Sequence, residues 1–244
     1  SPGAVFLAGE AALRVGAGRL AVVVPASIEG QLGVVMPEAA VHALPEDASD
    51  DIEDGVRSAI ESADAVLVGP GFDDPDETRQ TLLAVARCDV RRMVLDAFAL
   101  GILPDVDRAS LPDQLVLSPN RDEAAILLGQ DRAEDEDPDL VEIARRYRAV
   151  VNCYGEIVTP DGDRWSVPAG GPGLGTSGSG DVLAGAIAGF VARGLPLARA
   201  AVWGSWTHAR AGDRLTEQTG IGFLAREIPA ELTRAIAEVI RTPE

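Results

Sequence analysis

The sequence predicts a three-layer α/β domain built around a mostly parallel sheet. Three observations carry this expectation: short apolar runs rich in β-branched residues alternate with amphipathic stretches, the runs are apolar on both faces, and the one clear hairpin signal falls late in the chain. The first amphipathic stretch, "VFLAGEAALRVGAG", ends in Gly16 and Gly18 and leads to "LAVVVP", which reads as a helix followed by a buried strand. "DDIEDGVRSAIESA" then precedes "DAVLVGPG", and "PDETRQTLLAVARC" precedes "RRMVLDA", repeating the helix–strand unit. "QLVLSPN" reads as a further strand and "RDEAAILLG" as a helix stopped by Gly129. The acidic "QDRAEDEDPD" reads as a solvated loop. "YRAVVNCYGEIVTPDGDRWSV" reads as strands turning at Asp161-Gly162. Three helices close the chain: "DVLAGAIAGFVARG", "PLARAAVWGSWTHARAGDRL" and "PAELTRAIAEVIR". With neither an internal repeat nor a long linker, residues 1–244 read as one domain.

Composition excludes several chemistries. The formal net charge is −18, and every one of the 21 basic residues is arginine. A chain without lysine can form no lysine Schiff base and carries no P-loop lysine. Its acidity would repel a phosphate backbone, so nucleic acid is not an expected partner. Excess carboxylate with arginine in place of lysine suits a halophilic source, where concentrated salt screens self-repulsion. Cys88 and Cys153 are too few for a disulfide framework, and no stretch has the length and flanks of a membrane span. A cytoplasmic location is expected. The opening "SPGAVFLAGE" lacks both a methionine and a signal-peptide start, which predicts that part of the native N-terminus precedes it.

Chemistry concentrates in "GLGTSGSGDVLAG", residues 173–185. Its glycines allow successive N–H groups to point into one concavity, and a helix starting at about Asp181 would aim its unpaired N–H groups and dipole at the same spot. Such a turn suits a phosphate or a developing oxyanion. Two readings of Asp181 remain open from these residues: an N-cap, or a base that takes a proton from an attacking hydroxyl beside a bound anion. Elsewhere, His208 reads as a packed helical histidine and the cysteines as inert thiols. Trp203 and Trp206, three apart on one helix, read as core or subunit interface. Asp73, Asp74 and Asp76 read as a capped helix start rather than a metal site.

The segment "GPGLGTSGSGDVLAGAIAGFVARG" resembles the signature of the ADP/ATP-dependent NAD(P)H-hydrate dehydratases, members of the ribokinase-like superfamily. "GAVFLAGEAALRVGAGRLAVVVP", "VGPGF", "VLDAFAL", "LSPNRDEAAILLG", "WTHARAGDRL" and "GFLAREIPAEL" resemble successive segments of the same family, so the similarity runs in order along nearly the whole chain. It implies a ribokinase-like three-layer α/β/α sandwich in which ADP or ATP, with Mg²⁺, phosphorylates the hydroxyl of hydrated NADH or NADPH before phosphate is eliminated. It also implies a homo-oligomer, a tetramer in the family's manner. Position by position, it implies that Asp181 is base and substrate contact. Gly178, Ser179 and Gly180 then form the anion-binding turn, Tyr154 and Gly155 hold nucleotide, and Ala4, Gly71 and Asn120 contact substrate.

Three positions depart from the family pattern. Asn120 stands for a histidine, keeping hydrogen-bonding capacity without titration near neutrality. Phe98 replaces an aspartate, so no polar role survives there. Tyr154 falls where the family has a nucleotide-holding lysine, and an aromatic ring offers no cation. Two alternatives therefore stand beside the dehydratase: a ribokinase-like small-molecule kinase that stops at the phosphate ester, and a nucleotide-binding relative without catalysis.

Overall fold

The computed structural model describes residues 1–45, 52–130 and 137–241. Most of the acidic segment expected to be a loop, 131–136, lies outside them. The chain begins with α1 (Pro2–Arg14), β1 (Leu20–Pro25), α2 (Ala26–Val35) and β2 (Ala39–Leu44). It continues through α3 (Asp54–Glu61), β3 (Val66–Val68), α4 (Pro75–Arg87), β4 (Arg92–Leu95), α5 (Phe98–Ile102), β5 (Gln114–Leu117), α6 (Arg121–Leu128) and α7 (Leu140–Tyr147). A run of three strands, β6 (Val150–Cys153), β7 (Glu156–Val158) and β8 (Arg164–Ser166), precedes the closing helices α8 (Ser179–Ala192), α9 (Leu197–Thr219) and α10 (Ile228–Arg241).

The six-stranded sheet has order β3-β4-β5-β6-β7-β8. β3 to β6 are parallel, with Met93 opposite Leu115, Val94 opposite Val116 and Leu95 opposite Leu117. β6, β7 and β8 are antiparallel, so the antiparallel portion does lie late. Strand alternation divides the core as the apolar runs predict. Met93, Leu95, Leu115 and Leu117 pack toward α3, α4, α6 and α7, while Val94, Val116 and Val150 pack toward α8, α9 and α10.

The structure corrects one reading. β1 does not join the large sheet; it pairs in parallel with β2 in a separate two-stranded sheet. The reason is α2 and β2, which the sequence reading passed over: this crossover gives β1 a partner for its whole length, from Leu20 opposite Ala39 to Pro25 opposite Leu44. A cavity of about 910 Å³, bordered by Ala21, Val23, Val66 and Val68, separates the two sheets.

Two turns bear on the site. β7 and β8 join across Gly162, at φ +94°, with the Gly162 N–H donating to the Thr159 carbonyl at 2.9 Å. β6 and β7 join through Tyr154 and Gly155 alone, at φ +50° and +80°, the two-residue type I′ arrangement whose twist suits a hairpin.

α1 reaches the site by lying directly on α8. A Cβ added to Gly185 would stand 2.1 Å from the Ala8 carbonyl oxygen, and one on Gly189 would stand 2.7 Å from that of Ala12. Only glycine permits this approach, and it brings the first turns of α1 and α8 side by side.

Candidate active site

α8 begins at Ser179, two residues before the expected start, with Gly178 at the N-cap in the left-handed region (φ +90°). Asp181 is therefore the third residue of the first turn and not the cap, and the capping reading falls. A side chain at Gly178 would collide with Leu7 Cδ1 at 2.7 Å and approach Ala225 Cβ at 3.2 Å, while a Cβ on Gly180 meets nothing within 4 Å. The turn is thus closed behind Gly178 and open in front of Gly180. Among the described residues the Ser179 N–H donates to the Thr176 carbonyl at 3.2 Å, and the N–H groups of Gly180 and Asp181 have no backbone acceptor. Those two donors, at the positive end of a 14-residue helix, can hold an anion.

The Ser179 side chain points the other way. It is buried, and its Oγ lies 3.0 Å from Nε2 of His208 on α9, so its hydroxyl braces the turn from beneath instead of facing a ligand. Burial lowers the His208 pKa to about 4, keeping the ring neutral in this contact near neutrality. Also buried nearby in sequence on α9, Ser205 donates to Asn152 Oδ1 at 2.8 Å, while Asn152 Nδ2 and Thr207 Oγ1 have no partner among the described residues.

Asp181 is half-buried, with its carboxylate folded back so that Oδ2 lies 3.8 Å from the Cβ position of Gly178. Burial raises its pKa. Two further carboxyls, which sequence reasoning missed, converge here. Asp96, at the carboxyl end of β4, is buried and hydrogen-bonded to Ser118; its pKa is pushed well up by burial and by the negative charges of Glu123 and Asp181. Glu123, in the first turn of α6, is also raised, chiefly by burial. The available signal was positional: an aspartate terminating an apolar parallel strand stands at the crevice where α/β folds bind ligands.

The other expected contacts divide into two groups. Ala4 is half-buried in α1, and Gly71 (φ +90°) packs on the same helix, its Cβ position 3.2 Å from Val5 Cγ2. The Ser1 amino group also donates to the Gly71 carbonyl. Since Leu7 touches Gly178, the opening turns of α1 tie Ala4 and Gly71 to the anion turn. Asn120 is exposed at the N-cap of α6, its Oδ1 accepting from the Glu123 N–H at 2.9 Å while its own N–H donates to Glu123 Oε2 at 2.8 Å. This capping box fixes Glu123. Tyr154, 72% exposed on its turn, lies under the Arg121 guanidinium at 5.7 Å and not on the anion turn itself. The Gly155 carbonyl accepts from the Val167 N–H at 2.9 Å, fastening the hairpin to the segment that leads into α8.

The remaining candidates have structural duties. Asp74 caps α4, accepting from the Glu77 N–H at 2.8 Å, and among the described residues no three Asp, Glu, His or Cys side chains are grouped to hold a metal. Cys88 and Cys153 are buried, and burial pushes the Cys153 thiol up to about 11. Trp203 and Trp206 meet edge to face with centroids 5.6 Å apart. Among the described residues no helix is long and apolar enough to cross a membrane.

Comparison with known proteins places the chain in a family. The family model for NAD(P)H-hydrate dehydratase (Carb_kinase) matches residues 1–234. An ADP-dependent (S)-NAD(P)H-hydrate dehydratase from Xanthomonas campestris pv. campestris is 44% identical over 95% of this chain and 82% of its own. The bifunctional NAD(P)H-hydrate repair enzyme Nnr of Moorella thermoacetica is 37% identical over 89% of this chain, which spans 43% of that longer protein. Among solved structures, the ADP/ATP-dependent NAD(P)H-hydrate dehydratase of Bacillus subtilis co-crystallized with ATP/Mg²⁺ superposes with a TM-score of 0.79 at 25% identity, covering 97% of this chain and 85% of that one. With a ribokinase-like fold, a match to the family model over residues 1–234 and a relative 44% identical over 95% of this chain's length, the chain belongs to the NAD(P)H-hydrate dehydratase family.

Proposed function

We propose that the chain is a carbon–oxygen lyase that dehydrates hydrated NADH or NADPH at the expense of ADP or ATP. The observation that carries this reading is the placement of a half-buried Asp181 beside unpaired first-turn N–H groups, in a chain of this family. The nucleotide's terminal phosphate rests on the N–H groups of Gly180 and Asp181. The hydrate's hydroxyl lies between that phosphate and the Asp181 carboxylate, against Ala4 and Gly71. As the hydroxyl oxygen attacks phosphorus, Asp181 accepts its proton and the bond from phosphorus to the leaving nucleotide oxygen breaks. Hydroxide is a poor leaving group, but the resulting phosphate ester is a good one. The ring nitrogen's lone pair expels it, and loss of a proton from the neighbouring ring carbon restores the dihydronicotinamide.

Positioning divides among the elements. α8 supplies the anion donors, α1, the turn at Gly71 and Asn120 form the substrate wall, and the Tyr154–Gly155 hairpin flanks the nucleotide side. The half-buried Glu123 would hold Mg²⁺ brought in with the nucleotide, and the ion would supply charge neutralisation at the phosphates; such an ion needs only one or two protein carboxylates, which fits a site without a three-ligand cage among its described residues. We further propose that residues 1–244 form one domain of a cytoplasmic, salt-tolerant homo-oligomer, tetrameric in the family's manner.

The test is mass spectrometry of hydrated NADH and NADPH incubated with the protein and ADP or ATP. Formation of the dihydronicotinamide supports the dehydratase. An accumulating phosphate ester makes the protein a kinase, and nucleotide binding without turnover makes it a non-catalytic relative.

A further inference from the structure

The β6–β7 turn holds a tyrosine where folding alone would place asparagine or glycine. Tyr154 sits at φ +50°, a conformation that side chains other than Asn, Asp and Gly rarely adopt. Burial does not offset this, since Tyr154 is 72% exposed. Instead, the ring lies under a guanidinium: Arg121 Cζ is 5.7 Å from its centroid. Backbone strain kept at an exposed position is a mark of sites built for a ligand.

Arg121 opens α6 just beyond the carboxyl end of β5, whose parallel neighbours β4 and β6 end just before Asp96 and Tyr154. It follows the Asn120 cap on α6, two residues before Glu123, and Glu123 acts electrostatically both on Asp96, which feels Asp181, and on Cys153, directly before the Tyr154 turn. Arg121, with Tyr154, therefore stands at the same sheet edge as Asp96, where the parallel strands β4, β5 and β6 end side by side. Its recorded ion pair does not commit it elsewhere: Asp137 Oδ1 lies 2.9 Å away, but its side chain is 81% exposed, and such surface pairs are weak. A polyphosphate entering a crevice lined by Asp96, Glu123 and Asp181 meets repulsion that a nearby cation offsets, and in this lysine-free chain that cation is a guanidinium.

We propose that Arg121, lying over the Tyr154 ring, is a phosphate-binding residue for the adenine nucleotide, exchanging Asp137 for phosphate oxygens when the nucleotide binds. This rests on the reading that the nucleotide's phosphates extend from the anion turn. Planar guanidinium recognises phosphate through two parallel N–H donors, so Arg121→Lys only partly replaces it.

The test is calorimetric titration of ADP, ATP and adenosine into the wild type, Arg121→Gln and Arg121→Lys, with thermal melts to confirm folding. Arg121→Gln is expected to weaken ADP and ATP about tenfold or more, leave adenosine binding unchanged, and be partly rescued in Arg121→Lys. Unchanged ADP affinity in Arg121→Gln, or an equal loss for adenosine, overturns the assignment. Steady-state kinetics separates the two levels. If the wild type binds ADP in an Arg121-dependent way yet converts no hydrate, the dehydratase reading fails and the phosphate contact stands. If it converts hydrate and Arg121→Gln leaves the nucleotide KM unmoved, the phosphate contact alone fails.

Discussion

Gly180→Ala adds one methyl group to the space assigned to the anion and to nothing else. The added Cβ meets no heavy atom within 4 Å, and Gly180 is the second residue of α8. Folding therefore gains rather than loses, because alanine forfeits less chain entropy in a helix; the gain is up to about 1 kcal/mol, a rise of about 2–4 °C in Tm for a protein of this size. An oxygen held by the Gly180 and Asp181 N–H groups at about 2.9 Å stands in ordinary contact with the methyl group, so the rest of the phosphate must shift to clear it and lengthen one of the two bonds. Losing one charge-assisted hydrogen bond costs about 1.5–3 kcal/mol, so kcat/KM for the nucleotide should fall roughly 10- to 100-fold. Gly178→Ala is the contrasting control. Its methyl group must stand 2.7 Å from Leu7 Cδ1 at φ +90°, so both stability and activity fall, with about 2–4 kcal/mol lost from strain and overpacking. Scanning calorimetry with steady-state kinetics on both variants reads the two effects separately. A Gly180→Ala enzyme with unaltered kinetic constants would refute the placement of an anion on this turn.

Asp181→Asn should cut turnover at least about 10²-fold while leaving a folded protein. Because burial raises the Asp181 pKa, the acid limb of the pH–rate profile should lie above the ordinary aspartate value of 3.8 and disappear in the variant. The raised pKa values of Asp181 and Asp96 mean that folding favours their protonated forms. Their stabilising contribution is present at low pH and lost as pH rises through the folded values, so Asp96→Asn should flatten the pH dependence of Tm. His208 works in the opposite sense. With its pKa lowered from 6.5 to about 4, stability should decline as pH falls across that interval, and His208→Gln should remove the decline in pH-dependent melts. Arg214→Ala leaves Glu231, buried at 2% exposure and paired at 2.7 Å, with Arg234 alone; urea titration should show a loss of about 2 kcal/mol. At −18 net charge, Tm should rise with added KCl toward about 1 M, where screening acts within about 3 Å.

The parts of the fold that were legible are those whose patterning is local. Met93 to Leu95 and Leu115 to Leu117 announce buried parallel strands, and the glycine-rich run announces a turn before α8. The two-residue error in the start of α8 has a simple cause: glycine caps by conformation, offering no side-chain signal, whereas Asp181 looks like a cap. α2 was illegible because only Leu32 is buried in it while Val34 and Val35 are exposed, so apolar residues do not mark one face. Without α2 and β2, the separate small sheet could not be foreseen. α7 shows the helical spacing of Leu140, Ile143, Ala144 and Tyr147, and its eight residues lie between the acidic segment and β6. In the site, Asp181 and Gly178 were readable as a string, but Asp96, Glu123 and Arg121 were not. They come to one edge of the sheet only because the adjacent parallel strands β4 and β5 end there.

The glycine-mediated contact of α1 with α8 also sets an order of events during synthesis. Gly185 follows Ala8 by 177 residues (185 − 8), so at roughly 5–20 residues per second α1 leaves the ribosome about 10–35 s before the helix it lies on. Where that face meets the α8 backbone it presents Ala8 and Ala12, which offer little apolar area, with the larger Leu7 and Val15 on either side. The same smallness that lets two backbones touch in the finished fold therefore also limits the apolar area that this stretch of the nascent helix exposes while its partner is still being made.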